Sequence, residues 1–200
     1  MARFGPGKRS AEMRARFGAR PDTFVVAYIG RIAAEKGLAV AAAAMRRLEG
    51  ERIRFVVVGE GPYEEKLRSL SPADAVFTGR LSGEALSEAY ASADLFVFPS
   101  TTDTFGQVLL EAMASGLPVV AADAGTTREV VGEEAGAFVP AGDDDALAAE
   151  IYRLATDPEA RSHMAAAALR AASKRSWSSV FDELVRDYND VASEQPPITG

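Results

Sequence analysis

The sequence predicts a doubly wound α/β fold, with a parallel sheet of about six strands and helices on both of its faces. Short apolar runs alternate with stretches of helical periodicity along most of the chain, the pattern of consecutive strand–helix–strand units. The runs themselves, FVVAYI at 24–29 and LFVF at 95–98, are apolar without alternation, as in strands covered on both faces. Glycine, proline and charged residues gather where strands give way to helices, and right-handed crossovers bring those ends to one carboxyl edge.

Residues 1–20 read as a linker followed by a short helix at 10–17, residues 21–190 as the folded domain, and residues 191–200 as a flexible tail. The first strand, 24–29, lies between Pro21-Asp22 and Gly30. An alanine-rich helix at 35–48, broken only at Gly37, runs to Gly50. The second strand, 53–58, ends in Gly59-Glu60-Gly61-Pro62. Pro62 suits the first turn of a helix through Leu70, where its missing N–H has no partner to lose. A short strand at 75–78 precedes Gly79-Arg80, and a helix at 83–91 carries Leu86 and Tyr90 on one face. Pro99 ends the strand at 95–98, because it would remove a ladder donor. Phe105, Val108, Leu109, Ala112 and Met113 then repeat at helical spacing until Gly116 and Pro118 stop the helix. A strand at 117–121, a short helix at 126–131 and a strand at 137–139 complete the sheet. Helices at 143–154, 158–171 and 176–189 follow, the last with a stripe of Trp177, Phe181, Leu184, Val185 and Tyr188.

Composition narrows the function classes. The chain of 200 residues is 48% apolar and 26% charged, enough for one domain with a full core. It has no cysteine and a single histidine, His163, which excludes disulfides, thiolate metal sites and a histidine cluster. No apolar run approaches the roughly 20 residues that span a bilayer, and the basic, glycine-rich start has no signal core. A net charge of -7 argues against non-specific binding to nucleic acid. The charge is uneven: Arg3, Lys8, Arg9, Arg14, Arg16 and Arg20 crowd the start, and acids crowd 133–150, both read as solvated faces. Asp143-Asp144-Asp145 reads as helix capping rather than a metal cluster.

Two loops at the predicted carboxyl edge carry chemistry. Gly30-Arg31-Ile32-Ala33-Ala34-Glu35-Lys36-Gly37 is neither a dinucleotide fingerprint nor a P-loop. It sets a guanidinium and an ammonium across a turn into a helix mouth, which together suit a diphosphate. The plain alternative is an ion pair of Lys36 with Glu35 or another neighbour. Around 99–111 a hydroxyl-rich loop opens onto a helix, with Asp103 at its mouth and Glu111 two turns inside an otherwise apolar stretch. The plain reading makes Asp103 or Thr104 a cap and Glu111 a surface residue. Gly59-Glu60-Gly61-Pro62 needs no ligand to explain it, and Arg128 and Glu129 can pair on the surface.

The segments VAYIGRIAAEKGL, VVVGEGPYEEKL, FTGRLSGEALSEAYASADLFVFPS, TTDTFGQVLLEAMASGLPVVAADAG and TREVV, within residues 24–131, together resemble one protein family. It is the family 4 retaining glycosyltransferases of the two-domain GT-B fold, and the likeness is to their C-terminal, nucleotide-sugar-binding half. The helix at 176–189 is similar to the family's closing segment, and ARFGPGKRS to its interdomain linker. The family's pattern of two glutamates separated by seven residues is met here by Asp103 and Glu111, so the first carboxylate is one methylene shorter.

The resemblance implies a Rossmann-like half of a GT-B fold that binds a UDP-, GDP- or ADP-sugar without an essential metal. It implies that Arg31 and Lys36 hold the diphosphate and stabilise its charge during transfer. It implies that Asp103 takes sugar hydroxyls, that Glu111 accepts the ribose hydroxyls, and that backbone N–H groups of Phe105, Gly106 and Gln107 face phosphate or sugar. It also implies that Gly30 belongs to the donor-binding set and that Arg80 and Leu81 border the base. It further implies an N-terminal acceptor-binding domain as the missing partner and a cytoplasmic enzyme, peripheral to the membrane in its full-length form. Self-association through the last helix is expected, as is donor binding with little or no turnover by the isolated chain. A non-catalytic nucleotide-binding or partner domain, and half of a sugar-nucleotide epimerase, remain the alternatives.

Overall fold

The computed structural model of the protein describes residues 3–102 and 106–174. Asp103 and Phe105, and the helix read at 176–189 with its apolar stripe, lie outside the described residues.

Six strands form one parallel sheet: β1 (Phe24–Ile29), β2 (Ile53–Val58), β3 (Val76–Gly79), β4 (Leu95–Phe98), β5 (Val119–Ala122) and β6 (Gly136–Val139). Their spatial order is β3-β2-β1-β4-β5-β6, so the predicted doubly wound sheet is what forms. The order reverses between β1 and β4, which opens a crevice at their carboxyl ends. β1 pairs with β2 along its whole length, Phe24 beside Ile53 through Ile29 beside Val58. All six residues of β1 are buried, as its unalternating sequence demands.

The pleat divides β1 between two cores. Val25, Ala27 and Ile29 face one layer with Phe96, Leu109, Met113 and Val119, while Val26 and Tyr28 face the other with Leu38, Leu67, Leu95 and Ile151. The first layer is covered by α1 (Ala11–Arg16), α4 (Gly83–Ser92), α5 (Gln107–Ala114) and α6 (Gly125–Val131), the second by α2 (Leu38–Arg47), α3 (Glu64–Leu70) and α7 (Asp144–Thr156). The long helix α8 (Pro158–Lys174) packs its alanines Ala167, Ala168 and Ala172 into the first layer. Among the described residues no helix is long and apolar enough to cross a membrane.

Three local features differ from the sequence reading. The helix expected at 35–48 does break at Gly37, but its first piece is a single 3-10 turn at Ala34–Lys36, and only α2 is α-helical. Gly37 divides them with φ 68°, a left-handed conformation that breaks the α-helical hydrogen-bond ladder. The expected helix from Pro62 starts at Glu64, after a turn. The basic start is not simply a solvated face. Arg9 and Arg14 converge on Asp94 at 2.7 and 3.0 Å, and the same carboxylate accepts the Val25 N–H at 2.8 Å. Arg14 also donates to the carbonyls of Ser92 and Thr23. The segment before β1 is thereby fastened to the amino edge of the sheet. The acidic run does cap a helix: Asp143 accepts the Ala146 N–H at 2.8 Å, and Asp144 and Asp145 both meet Arg47.

Candidate functional site

At the carboxyl edge, the loops after β1, β2 and β3 are stitched together through their backbones. Gly30 N–H donates to Val58 O at 2.9 Å, Ile32 N–H to Glu60 O at 3.0 Å and Tyr63 N–H to Ile32 O at 3.2 Å. The approach is so close that a Cβ on Gly59 would overlap the Gly30 carbonyl oxygen, and one on Gly61 would overlap that of Ile32. These glycines are therefore required by loop packing. On the far side of β1, a Cβ on Gly37 would likewise overlap the Pro99 carbonyl oxygen after β4. Thr102 Oγ1 donates to Glu35 O at 3.4 Å, so this loop pair is joined as well. From below, the buried Tyr28 donates its hydroxyl to Arg31 O at 2.8 Å.

Above the stitched loops lies a cavity of about 410 Å³. Its polar rim is Arg31, Glu60 and Arg80, its apolar floor includes Leu81, Leu86 and Val108, and Glu111 stands in its wall with Tyr90. Val108 and Glu111 are three residues apart on α5 and so share the face turned to the cavity. Glu111 is half-buried, and the fully buried Tyr90 donates its hydroxyl to Glu111 Oε2 at 3.0 Å. Burial pushes the Glu111 carboxyl above its ordinary range, and the Tyr90 hydrogen bond and the charge of Arg3 offset this only in part. Burial, followed by the charge and hydrogen bond of Glu111, holds the Tyr90 phenol well above its ordinary value.

The cations are arranged unequally. Arg31 is exposed on the rim and paired with Glu35, one of the neighbours that the plain reading offered to Lys36. A hydrogen bond with its own backbone, then Arg31 and Lys36, hold the Glu35 carboxyl below its ordinary value. Arg80 faces Glu60 at 3.7 Å, with both side chains exposed. Arg128 turns to Asp123 and Glu133 and lies 4.5 Å over the Phe138 ring.

Of the residues singled out from sequence, Gly30, Arg31, Arg80, Leu81 and Glu111 meet on the cavity wall. Lys36 ends the 3-10 turn beside the crossing of Gly37 and Pro99, at the switch point rather than on that wall. Gly106 caps α5 with φ 53° and Gln107 opens its first turn, where backbone N–H groups lack intrahelical partners. His163 is exposed on α8. Sequence reasoning passed over Tyr90, Tyr28 and Glu60. Tyr90 looked like one more apolar position of its helix. The signal was Glu111 itself, a carboxylate on an apolar face that needs a polar-tipped neighbour. Among the described residues no group of three or more His, Cys, Asp or Glu is gathered as a metal site.

Residues 9–171 match the family model described as Glycosyl transferases group 1. The chain belongs to that family. This glycosyltransferase domain is 42% identical over 195 residues to the sulfoquinovosyl transferase SQD2 of Arabidopsis thaliana, covering 94% of this chain and 38% of that protein. It is 35% identical over 200 residues to a GDP-mannose-dependent alpha-mannosyltransferase of Corynebacterium glutamicum, covering 98% and 48%. Among solved structures it is similar to a sucrose-phosphate synthase from Thermosynechococcus elongatus, with a TM-score of 0.80, 27% identity and coverage of 97% and 51%. The glycosyltransferase domain thus spans between 38% and 51% of these relatives, and its sheet is the Rossmann-like form of one half of a GT-B fold.

Proposed function

We propose that this chain is the donor-binding, C-terminal half of a retaining glycosyltransferase, which moves a sugar from a nucleoside diphosphate to an acceptor hydroxyl. The observation that carries the reading is Glu111, a half-buried carboxylate aimed with Tyr90 into a cavity whose rim bears Arg31 and Arg80. A negative group kept at a cavity wall against its burial cost needs donors to repay it, and a ribose offers two adjacent hydroxyls. Arg31 and Lys36 supply positive charge for the diphosphate, and Arg80 and Leu81 flank the base. In this reading Asp103, Phe105, Gly106 and Gln107 serve the sugar and phosphate from the mouth of α5.

During transfer with retention, the acceptor oxygen enters on the face from which the diphosphate departs. The assistance this domain provides is stabilisation of the charge that develops on the diphosphate, by Arg31 and Lys36 in a site already organised for it. A GDP-mannose-dependent relative supports a nucleotide-sugar donor, and the length beyond this chain in each relative leaves room for a second domain, which this reading places N-terminal to this one and assigns to the acceptor. Acceptor positioning and exclusion of water belong to that domain, so the isolated chain binds donor but turns it over slowly.

Calorimetry against UDP, GDP and ADP tests the reading. At least one nucleotide binds, and Lys36→Ala and Arg31→Ala weaken it sharply. Equal affinity for inorganic phosphate and all three nucleotides rejects the assignment. Product analysis after the N-terminal half is supplied separates transfer from epimerisation and from binding alone.

A further inference from the structure

We infer that Tyr90 is a positioning residue for the nucleoside, its hydroxyl fixing the Glu111 carboxylate in the orientation that reads the ribose diol. The inference rests on the donor-binding reading above and adds to it the group that aims its central carboxylate. A glutamate side chain on a helix turns about three bonds, and a two-point hydrogen bond to a diol is lost when it swings. The Tyr90 hydroxyl takes Oε2 at 3.0 Å and stops that swing. A carboxylate has about four acceptor sites on its two oxygens, so one hydroxyl leaves enough for a diol. Tyr90 donates to the ionised form, which is also the form that can accept from both ribose hydroxyls.

The ring is itself immobilised. Phe4 meets it edge to face, with centroids 5.5 Å apart and planes at 89°, and Phe96 lies at 5.9 Å on the sheet side. Phe98 stacks on Phe96 at 6.3 Å, so the hydroxyl sits at the tip of an aromatic column rooted in β4. Tyr28, the other buried tyrosine at this edge, places its hydroxyl on a backbone carbonyl, that of Arg31. Tyr90 is fully buried, and its hydrogen bond goes to a carboxylate on a cavity wall.

The other charged groups around Glu111 do not duplicate the role. Arg3 in the N-terminal segment acts on it through space while its guanidinium donates to Gly83 O. On the loops after β1, β2 and β3, Arg31, Glu60 and Arg80 are engaged on the rim, and Tyr28 of β1 is turned to Arg31 O. Among the described residues α6 and α8, which also pack on α5, add nothing to the cavity wall, and their Arg128 and Arg170 are paired with acids.

The test compares wild type, Tyr90→Phe and Glu111→Gln for binding of UDP, GDP and ADP, of their 2′-deoxy counterparts, and of inorganic pyrophosphate. Tyr90→Phe keeps the ring and its packing and removes one oxygen, and the unfolding midpoint verifies that the fold is kept. Wild type prefers the ribonucleotide over its deoxy form by about tenfold, as for a hydrogen bond to a charged group. In Tyr90→Phe that preference falls to about twofold while pyrophosphate affinity is unchanged, since only the aim of the carboxylate is lost. Loss of the hydrogen bond also moves the pH midpoint of nucleotide binding upward, which a purely structural role would not do. A ribose preference and pH midpoint equal to wild type in Tyr90→Phe overturn the inference and leave donor binding standing. A wild type that binds none of the three nucleotides overturns both.

Discussion

Two carboxylates, Asp94 and Glu111, occupy opposite edges of the same sheet and are treated in opposite ways. Asp94 immediately precedes β4 at the amino edge, and both of its oxygens are taken, by Arg9 on one side and by Arg14 and the Val25 amide on the other. Glu111 stands in the cavity wall at the carboxyl edge, where Tyr90 takes one oxygen and burial works against the charge. A fully partnered acid stabilises the fold; a partly partnered one is held ready for something the fold does not contain. The difference teaches where to look for function in a parallel α/β sheet: at the polar group whose bonding is incomplete.

The largest expected effect breaks the first side of that comparison. Asp94→Ala leaves Arg14, whose side chain is 13% exposed, without its counter-charge and Val25 without an acceptor. Removing one partner of such an enclosed pair lowers stability by about 3–5 kcal/mol. Urea unfolding measures the loss, and nucleotide affinity of the still-folded protein stays at the wild-type level.

Glu111→Gln has the reverse profile. Nucleotide affinity falls by about tenfold or more, as for loss of a charged hydrogen-bonding partner. Stability at neutral pH is no lower than wild type, because the buried charge is gone and the amide still accepts from Tyr90. Calorimetry and urea unfolding on one preparation read both quantities.

The pH dependence sharpens the contrast. Between the ordinary Glu111 value of 4.5 and its raised folded value, the folded chain holds a proton that the unfolded chain has released. Stability attributable to this group therefore falls as pH rises through that window, and is flat above it. Nucleotide affinity rises across the same window as the carboxylate forms. Unfolding and binding titrations should show slopes of opposite sign, and Glu111→Gln should remove both.

The smallest effect concerns a third acid, Glu35, exposed and paired with Arg31. Glu35→Gln releases that arginine for an anion and tightens pyrophosphate binding by about twofold at low salt, an advantage that screening erases near 1 M. Titration at two ionic strengths checks it.

The strands were readable because unalternating apolar runs such as 24–29 and 95–98 have few other uses, and the doubly wound order followed from their alternation with helices. The gathering of Arg31, Arg80 and Glu111 was readable because strand ends share an edge whatever their separation in sequence. Tyr90 was hidden because a tyrosine on an apolar helix face looks the same whether its hydroxyl meets solvent or a carboxylate on another helix. The break at Gly37 was readable, but the close approach of the Pro99 backbone that keeps a side chain out of that position was hidden, because Pro99 is remote in sequence. Asp94 gave no sign of its partners for the same reason: Arg9 and Arg14 lie far back along the chain.

The seam of glycines between the loops after β1 and β2 has a mechanical consequence. With Gly59 against the Gly30 carbonyl, and Ile32 bonded in both directions to the neighbouring loop, neither segment can be displaced alone. The two behave as one plate, anchored from beneath by Tyr28. A change in loop length on either side must therefore be answered on the other. Gly79 and Gly83, before and after Arg80, border open space instead. On that flank the limit is set by backbone conformation rather than by packing, since both glycines hold left-handed φ, 72° and 61°, that side chains rarely adopt.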